Sequence, residues 1–352
     1  MPAKKQIRVV IADDSLVARE MLAQILASDP SIEVVGQAKN GEEAVEMVAN
    51  LRPDLVTMDI HMPKMDGLTA TEKIMAFTPT PILVVSSSVH GEGMGSAFDA
   101  LARGALEVIK KPEPKEWADL ERIGRDLLRK VKVLANVRVI THISGRRGHG
   151  APPIGAASGS QIDRRIVAIG SSTGGPSALL TVLSGLPAEF PLPVLIAQHI
   201  ADGFVPGLVS WLDGGTRIKV LEASDGDRVR AGTAYFAPTG SNMIIEGNTI
   251  RFEAAGQGQL YIPSADTLFE SVARGFGSRA VGVLLTGMGA DGANGLKRMH
   301  DRGAVTIAQN EETCVVYGMP RAAIELGAAG EVLAIEDIAA GILAHTAQSG
   351  AL

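Results

Sequence analysis

Between Ile7 and residue 130 the sequence changes period again and again, and this alternation restricts the fold more than any other feature. Short apolar runs at 7–12, 32–38, 55–58, 81–85 and 107–109 read as strands. Between them, residues such as Leu22, Ile25 and Leu26 recur at helical spacing. Ser15 is placed to cap the first helix. Others are predicted around Ala44, Val45 and Val48, over 68–77, over 97–103 and from Trp117. Repeated strand–helix units imply a parallel sheet with helices on both faces. In such sheets the chemistry gathers at the carboxyl ends of the strands.

The residues expected there are chemically related. The first strand runs into Asp13-Asp14, the third into Asp59, the fourth into Ser86 and the fifth into Lys111, followed by Pro112. Three crowded carboxylates repel one another and suit a hard divalent cation such as Mg²⁺, which is held by carboxylates together with phosphate oxygens. A lysine and a hydroxyl opposite complete a holder for a phosphoryl group. A single strand-end acid would be only a solvated cap, but five such residues at matched strand ends point to a site.

Alternation resumes at 166 with Ile166-Val-Ala-Ile-Gly-Ser-Ser-Thr-Gly-Gly175. Four apolar residues form a strand, a turn carries Ser171, Ser172 and Thr173 between glycines, and Pro176 opens a helix. Gly170-x-Ser172-x-Gly174 fits a nucleophile elbow. The same motif suits a phosphate cradle at a helix N-terminus, or a plain glycine-rich turn. Strands are predicted at 194–198, 280–286 and 304–308, a hairpin over 242–252, and helices over 204–212, 264–274, up to about His300 and after Pro320.

Of seven histidines, only His199 follows a strand in this second block. It is placed to face the Ser172 turn, or to pack under a loop. Asp291 stands among glycines after the 280–286 strand, where it can orient an imidazole or cap the next helix. Asp202, Asp225 and Asp227 are less clearly tied to a strand end. The order Ser…His…Asp, with the elbow after the first strand, differs from the α/β-hydrolase order Ser…Asp/Glu…His.

The chain has 352 residues, a two-domain length. Its formal charge of −6 is unevenly spread: residues 1–125 carry −5, 126–165 carry +6 and 166–352 carry −7. The basic segment contains Ser-Gly-Arg-Arg-Gly-His-Gly and Ala-Pro-Pro, with no sustained apolar period, and reads as a flexible linker over 131–165. No helix-turn-helix pattern follows it and aromatics are 4% of the chain, which argues against nucleic acid. One cysteine, Cys314, excludes an intrachain disulfide framework. No apolar run reaches the ~18 residues of a membrane span. With no secretory signal at the start, a cytoplasmic location without membrane insertion is expected.

Residues 7–130 resemble the response-regulator receiver family. The resemblance rests on Asp13-Asp14, on Met58-Asp-Ile-His-Met-Pro-Lys-Met-Asp-Gly67, on Ser86 and on Lys111-Pro112. It implies a flavodoxin-like domain with a five-stranded parallel sheet. Asp59 would accept phosphate from a histidine kinase, and Mg²⁺ would be held by Asp13, Asp14, Asp59 and the backbone carbonyl of His61. Ser86 and Lys111 would read the phosphate.

The second block carries Gly-Ser-Ser-Thr-Gly-Gly, Gln198-His199, Tyr261-Ile-Pro-Ser-Ala-Asp266, Thr286-Gly-Met-Gly-Ala-Asp-Gly292 and Cys314-Val-Val-Tyr-Gly-Met-Pro-Arg321. With these it resembles the CheB family of chemotaxis protein-glutamate methylesterases, which often also deamidate glutamine. Ser171 stands where that family commonly has alanine, and Ile262 where a basic residue is expected. The resemblance implies a receiver over 1–130 joined to a doubly wound α/β esterase domain with a β-hairpin over 166–352. Ser172, His199 and Asp291 would form the catalytic set, and the N–H groups near Thr173 and Met288 the oxyanion hole. Methylated chemoreceptors would be the substrate, and the ester reaction would need no cofactor. The competing reading is a non-catalytic, receiver-coupled adaptor.

Overall fold

The computed structural model describes residues 6–87, 94–112, 117–137, 139, 165–256 and 258–346. His90 and residues 138 and 140–164 of the 131–165 linker, including His142 and His149, lie outside the described residues, and residues 131–134 of that range are the end of the helix Trp117–Leu134, with Val131 and Leu134 buried. Contacts divide the chain into two units, Met1–Arg146 and Arg147–Leu352.

The first unit runs β1 (Ile7–Ala12), α1 (Leu16–Ala27), β2 (Ile32–Ala38), α2 (Gly41–Leu51), β3 (Leu55–Met58), α3 (Gly67–Phe77), β4 (Ile82–Ser86), α4 (Met94–Ala102), β5 (Glu107–Lys110) and α5 (Trp117–Leu134). Its five strands are all parallel, in the order β2-β1-β3-β4-β5. Every residue of β3 and β4 is buried, so these strands read as continuous apolar runs rather than alternating ones. Helix starts are capped as the residue types demand. Ser15, Asn40 and Asp66 accept the N–H of Ala18, Glu43 and Thr69.

The second unit runs β6 (Ile166–Ser171), α6 (Gly175–Ser184), β7 (Val194–Gln198), α7 (Val205–Gly215), β8 (Lys219–Glu222), β9 (Thr233–Phe236), β10 (Asn242–Glu246), β11 (Thr249–Glu253), α8 (Ala265–Phe276), β12 (Ala280–Leu284), α9 (Ala293–Asp301), β13 (Val305–Gln309), α10 (Met319–Glu325), β14 (Glu331–Leu333) and α11 (Ile335–Thr346). Seven parallel strands stand in the order β14-β13-β12-β6-β7-β9-β8. The pattern missed three of them. β8 and β14 are short, exposed edge strands, and β9 is only four residues long.

The antiparallel pair β10–β11 is the expected hairpin. It packs on α8, where the Ser271 hydroxyl accepts the Ile245 N–H. Helices α6, α7 and α11 pack together, and α8, α9 and α10 form a second group. The chain winds outward from β6 to β7 and returns to add β12 on the other side of β6. That reversal is the switch point at which α/β sheets bind ligands.

Candidate functional site

In the first unit, the carboxyl ends of β1 and β3 bring the acids together. The Asp59 N–H donates to the Ala12 carbonyl, placing Asp59 beside Asp13. Oxygens of Asp13, Asp14 and Asp59 lie within 4.8 Å of one another. Asp13 and Asp59 are buried and Asp14 is exposed. Lys111 reaches in from just past β5, with Nζ 2.7 Å from Asp13 Oδ2 and 2.9 Å from Asp59 Oδ2. Its backbone N–H donates to the carbonyl of buried Ser86. His61 lies two residues beyond Asp59, in a loop that Gly67 lets fold back. A Cβ at Gly67 would sit 1.9 Å from the Asp59 carbonyl oxygen, so only glycine fits there.

Burial raises the Asp59 pKa, and the neighbouring Asp13 charge adds to this. Lys111 and the Ile60 N–H oppose without cancelling it. Burial likewise disfavours the Lys111 ammonium, but hydrogen bonds and charge from Asp13 and Asp59 win, and its pKa is raised. The donor set fits a hard divalent cation: oxygen ligands, one of them open to solvent, at a site short of positive charge.

In the second unit, Ser172 follows β6 on a tight turn. Its N–H donates to Thr286, and its carbonyl accepts from Gly175. Gly174 takes a left-handed conformation, φ 77°, where a Cβ would lie 2.6 Å from Val315. The turn is therefore fixed by backbone geometry and by close packing. Thr173, next in chain, is buried, and its carbonyl accepts the Thr286 hydroxyl. Gly287 lies against the Ser172 turn, since a Cβ there would be 2.7 Å from Ser172 Cβ. Met288 is the next residue.

His199 emerges from β7 beside Ser172. Its N–H donates to the Ser171 carbonyl at 2.9 Å, continuing the β6–β7 ladder. Gln198, buried at 2% exposure, ties the two together. Its Nε2 donates to the carbonyls of Ser172 (2.9 Å) and His199 (2.8 Å), while Oε1 accepts the Ser171 hydroxyl (2.6 Å). In the sequence Gln198 is only the neighbour of His199 in a shared motif. Its cross-strand role has no sequence signature beyond its position beside His199.

Asp291 does not cap α9, the helix that follows it. Gly292 precedes α9 as its N-cap residue, and no side chain caps that helix. The Asp291 carboxylate instead turns to the start of α8, where it accepts the Ser264 hydroxyl (2.8 Å) and the N–H groups of Ala265 (2.7 Å) and Asp266 (3.2 Å). There it also meets His199, with Nε2 2.8 Å from Oδ2. Burial raises the Asp291 pKa, but hydrogen bonding and charge from His199, with the α8 donors, outweigh burial, and the net shift is downward. An ionised Asp291 only accepts, so Nε2 carries the ring proton and Nδ1 is the basic nitrogen. Nδ1 is buried and unpartnered.

One contact had no role in the sequence. The Tyr261 ring stacks on the His199 imidazole, with centroids 4.5 Å apart and planes within 3°.

Residues 167–342 match the family model described as CheB methylesterase, and residues 9–119 match the response regulator receiver domain. A protein of Anaeromyxobacter dehalogenans, "Protein-glutamate methylesterase/protein-glutamine glutaminase 2", is 46% identical over 95% of this chain and 95% of its own. "Protein-glutamate methylesterase/protein-glutamine glutaminase 1" of Syntrophus aciditrophicus is 47% identical over 95% of this chain and 96% of its own. The crystal structure of the Thermotoga maritima CheB methylesterase catalytic domain has 35% identity and a TM-score of 0.49, covering 52% of this chain and 98% of that one.

Proposed function

This chain belongs to the CheB methylesterase family, carries a receiver domain, and we propose how its own residues perform and control the reaction. It is a phosphorylation-regulated protein-glutamate methylesterase/protein-glutamine glutaminase acting on chemoreceptors.

Ser172 Oγ attacks the carbonyl carbon of a glutamyl γ-methyl ester. His199 Nδ1 takes the hydroxyl proton and returns it to the departing methoxide, which leaves as methanol. Asp291 holds Nε2–H and balances the imidazolium charge. Backbone N–H groups at Thr173 and Met288 receive the oxyanion, and one such donor is worth ~3 kcal/mol. Water, deprotonated by Nδ1, then attacks the acyl carbon; the bond to Ser172 Oγ breaks, Oγ takes the proton back from Nδ1, and free glutamate leaves. A glutamine side chain follows the same course with ammonia leaving. One observation carries this assignment: Nε2 is committed to Asp291 while Nδ1 is buried and unpartnered, on a residue whose backbone N–H is bonded to Ser171, one position before Ser172.

In the receiver, Asp59 takes the phosphoryl group from a histidine kinase. Asp13, Asp14, Asp59 and the His61 carbonyl would hold Mg²⁺, which offsets charge on phosphate oxygens when bound. Lys111 and Ser86 contact the phosphoryl oxygens and relay the change. The protein works in the cytoplasm, on the cytoplasmic side of its receptors. Among the described residues no helix is long and apolar enough to cross a membrane.

The test is methanol release from methylated receptor by phosphorylated protein. Ser172→Ala abolishes it. A variant that kept most of the wild-type rate would remove Ser172 from the mechanism. Labelling of wild type by a serine-reactive phosphonate separates an enzyme from an adaptor.

A further inference from the structure

We propose that Tyr261 is a positioning residue for the base: its ring fixes the plane of the His199 imidazole and so aims Nδ1 at the nucleophile. This rests on the esterase reading of the same site. A hydrogen bond from Nε2 to Asp291 leaves the ring free to turn about the line joining those atoms. The structure offers Nδ1 no partner to stop that turn. The face of Tyr261 does so. Parallel rings with centroids 4.5 Å apart are offset, because carbon atoms touch at ~3.5 Å, and offset stacking is a favoured aromatic arrangement. Any rotation of the imidazole out of plane would break that contact or collide with it.

Tyr261 is itself held. Gly289, at φ 91°, brings its backbone so close that a Cβ there would lie 3.0 Å from the Tyr261 hydroxyl oxygen. Three residues further on, Ser264 caps α8 and donates to Asp291. The ring is therefore set between His199 and the loop that bears both Met288 and Asp291. It also covers the imidazole, whose side chain is 10% exposed. The contact that holds the imidazole plane is made by the flat ring. Phenylalanine should replace tyrosine, whereas a branched aliphatic side chain leaves the plane undefined.

The experiment compares Tyr261→Phe and Tyr261→Leu in the full-length phosphorylated protein, using kcat and KM for methylated receptor. NMR of the His199 ring protons is recorded alongside. Tyr261→Phe should stay within about 3-fold of wild type. Tyr261→Leu should lose about 10- to 30-fold in kcat at nearly constant KM, as expected when a reacting group is held less accurately. The His199 protons should show an upfield ring-current shift in wild type and Tyr261→Phe that disappears in Tyr261→Leu. Should Tyr261→Leu not fold, Tyr261→Met takes its place. Two results overturn the inference: wild-type protons without the shift, or an aliphatic variant that loses the shift yet keeps kcat. A wild type that released no methanol would instead sink the esterase reading, whatever the NMR showed.

Discussion

Asp59 and Asp291 sit equally deep, with side chains 6% and 8% exposed, yet their surroundings push them in opposite directions. Burial is the largest influence on both and raises both. Asp59 must share Lys111 with Asp13, which adds repulsion, and it keeps one backbone donor, Ile60. Its pKa ends above the ordinary range. Asp291 has His199, the Ser264 hydroxyl and two N–H groups at a helix start, and its pKa ends below it. The lesson is that donor count, not depth, decides the charge state of a buried carboxylate. The consequences suit the two proposed roles. Asp291 stays an anion to hold the base, and the Asp59 cluster is left short of positive charge, which makes it receptive to a cation.

The two acids also bias stability oppositely with pH. With a folded pKa below its unfolded value of about 3.9, Asp291 stabilises the fold above that pH, and this is lost as pH falls through the lowered value. Asp59, with its folded pKa raised, costs stability as pH rises from the unfolded value through the folded one.

The largest test of this contrast is Asp291→Asn, which keeps the shape and removes the charge. It should cut kcat by about 10³- to 10⁴-fold with KM little altered. A loss under tenfold would mean that the anion is not needed. Next is Asp59→Asn. It should take no label from a small phosphodonor and lose all phosphodonor stimulation of methanol release. Because it relieves a buried charge held against its preference, it should also raise the unfolding midpoint of the first unit. A lowered midpoint would show that the Lys111 pair outweighs burial. The smallest effect belongs to Ser264→Ala, which removes one donor to Asp291 and the cap of α8. About 1 kcal/mol of stability by urea unfolding and a few-fold in kcat are expected. No change in either would make the hydroxyl incidental to the lowered pKa.

Much of the fold was legible because its strands are buried on both faces and bounded by turn residues. β6, β7 and β12 could be read from such runs alone. β8 and β14 escaped because short edge strands have little apolar content to betray them. Which residues follow a strand end was also legible, and this singled out Asp13, Asp59, Lys111, Ser172 and His199. Which way a side chain turns from there was not. Asp291 could equally have capped α9, since nothing nearby in sequence marks α8 as its partner. Tyr261 lies 62 positions from His199, and no local pattern records their stacking.

Alone, the sequence determined two parallel α/β units, the positions of their strand ends and the kinds of side chain gathered there, because periodicity and turn chemistry act over a few residues. Only the tertiary structure decided which histidine nitrogen is left without a partner, which helix start holds Asp291, and that one glutamine and one tyrosine pack beside that histidine. Those choices depend on contacts between segments far apart in the chain, where packing rather than local preference sets the geometry.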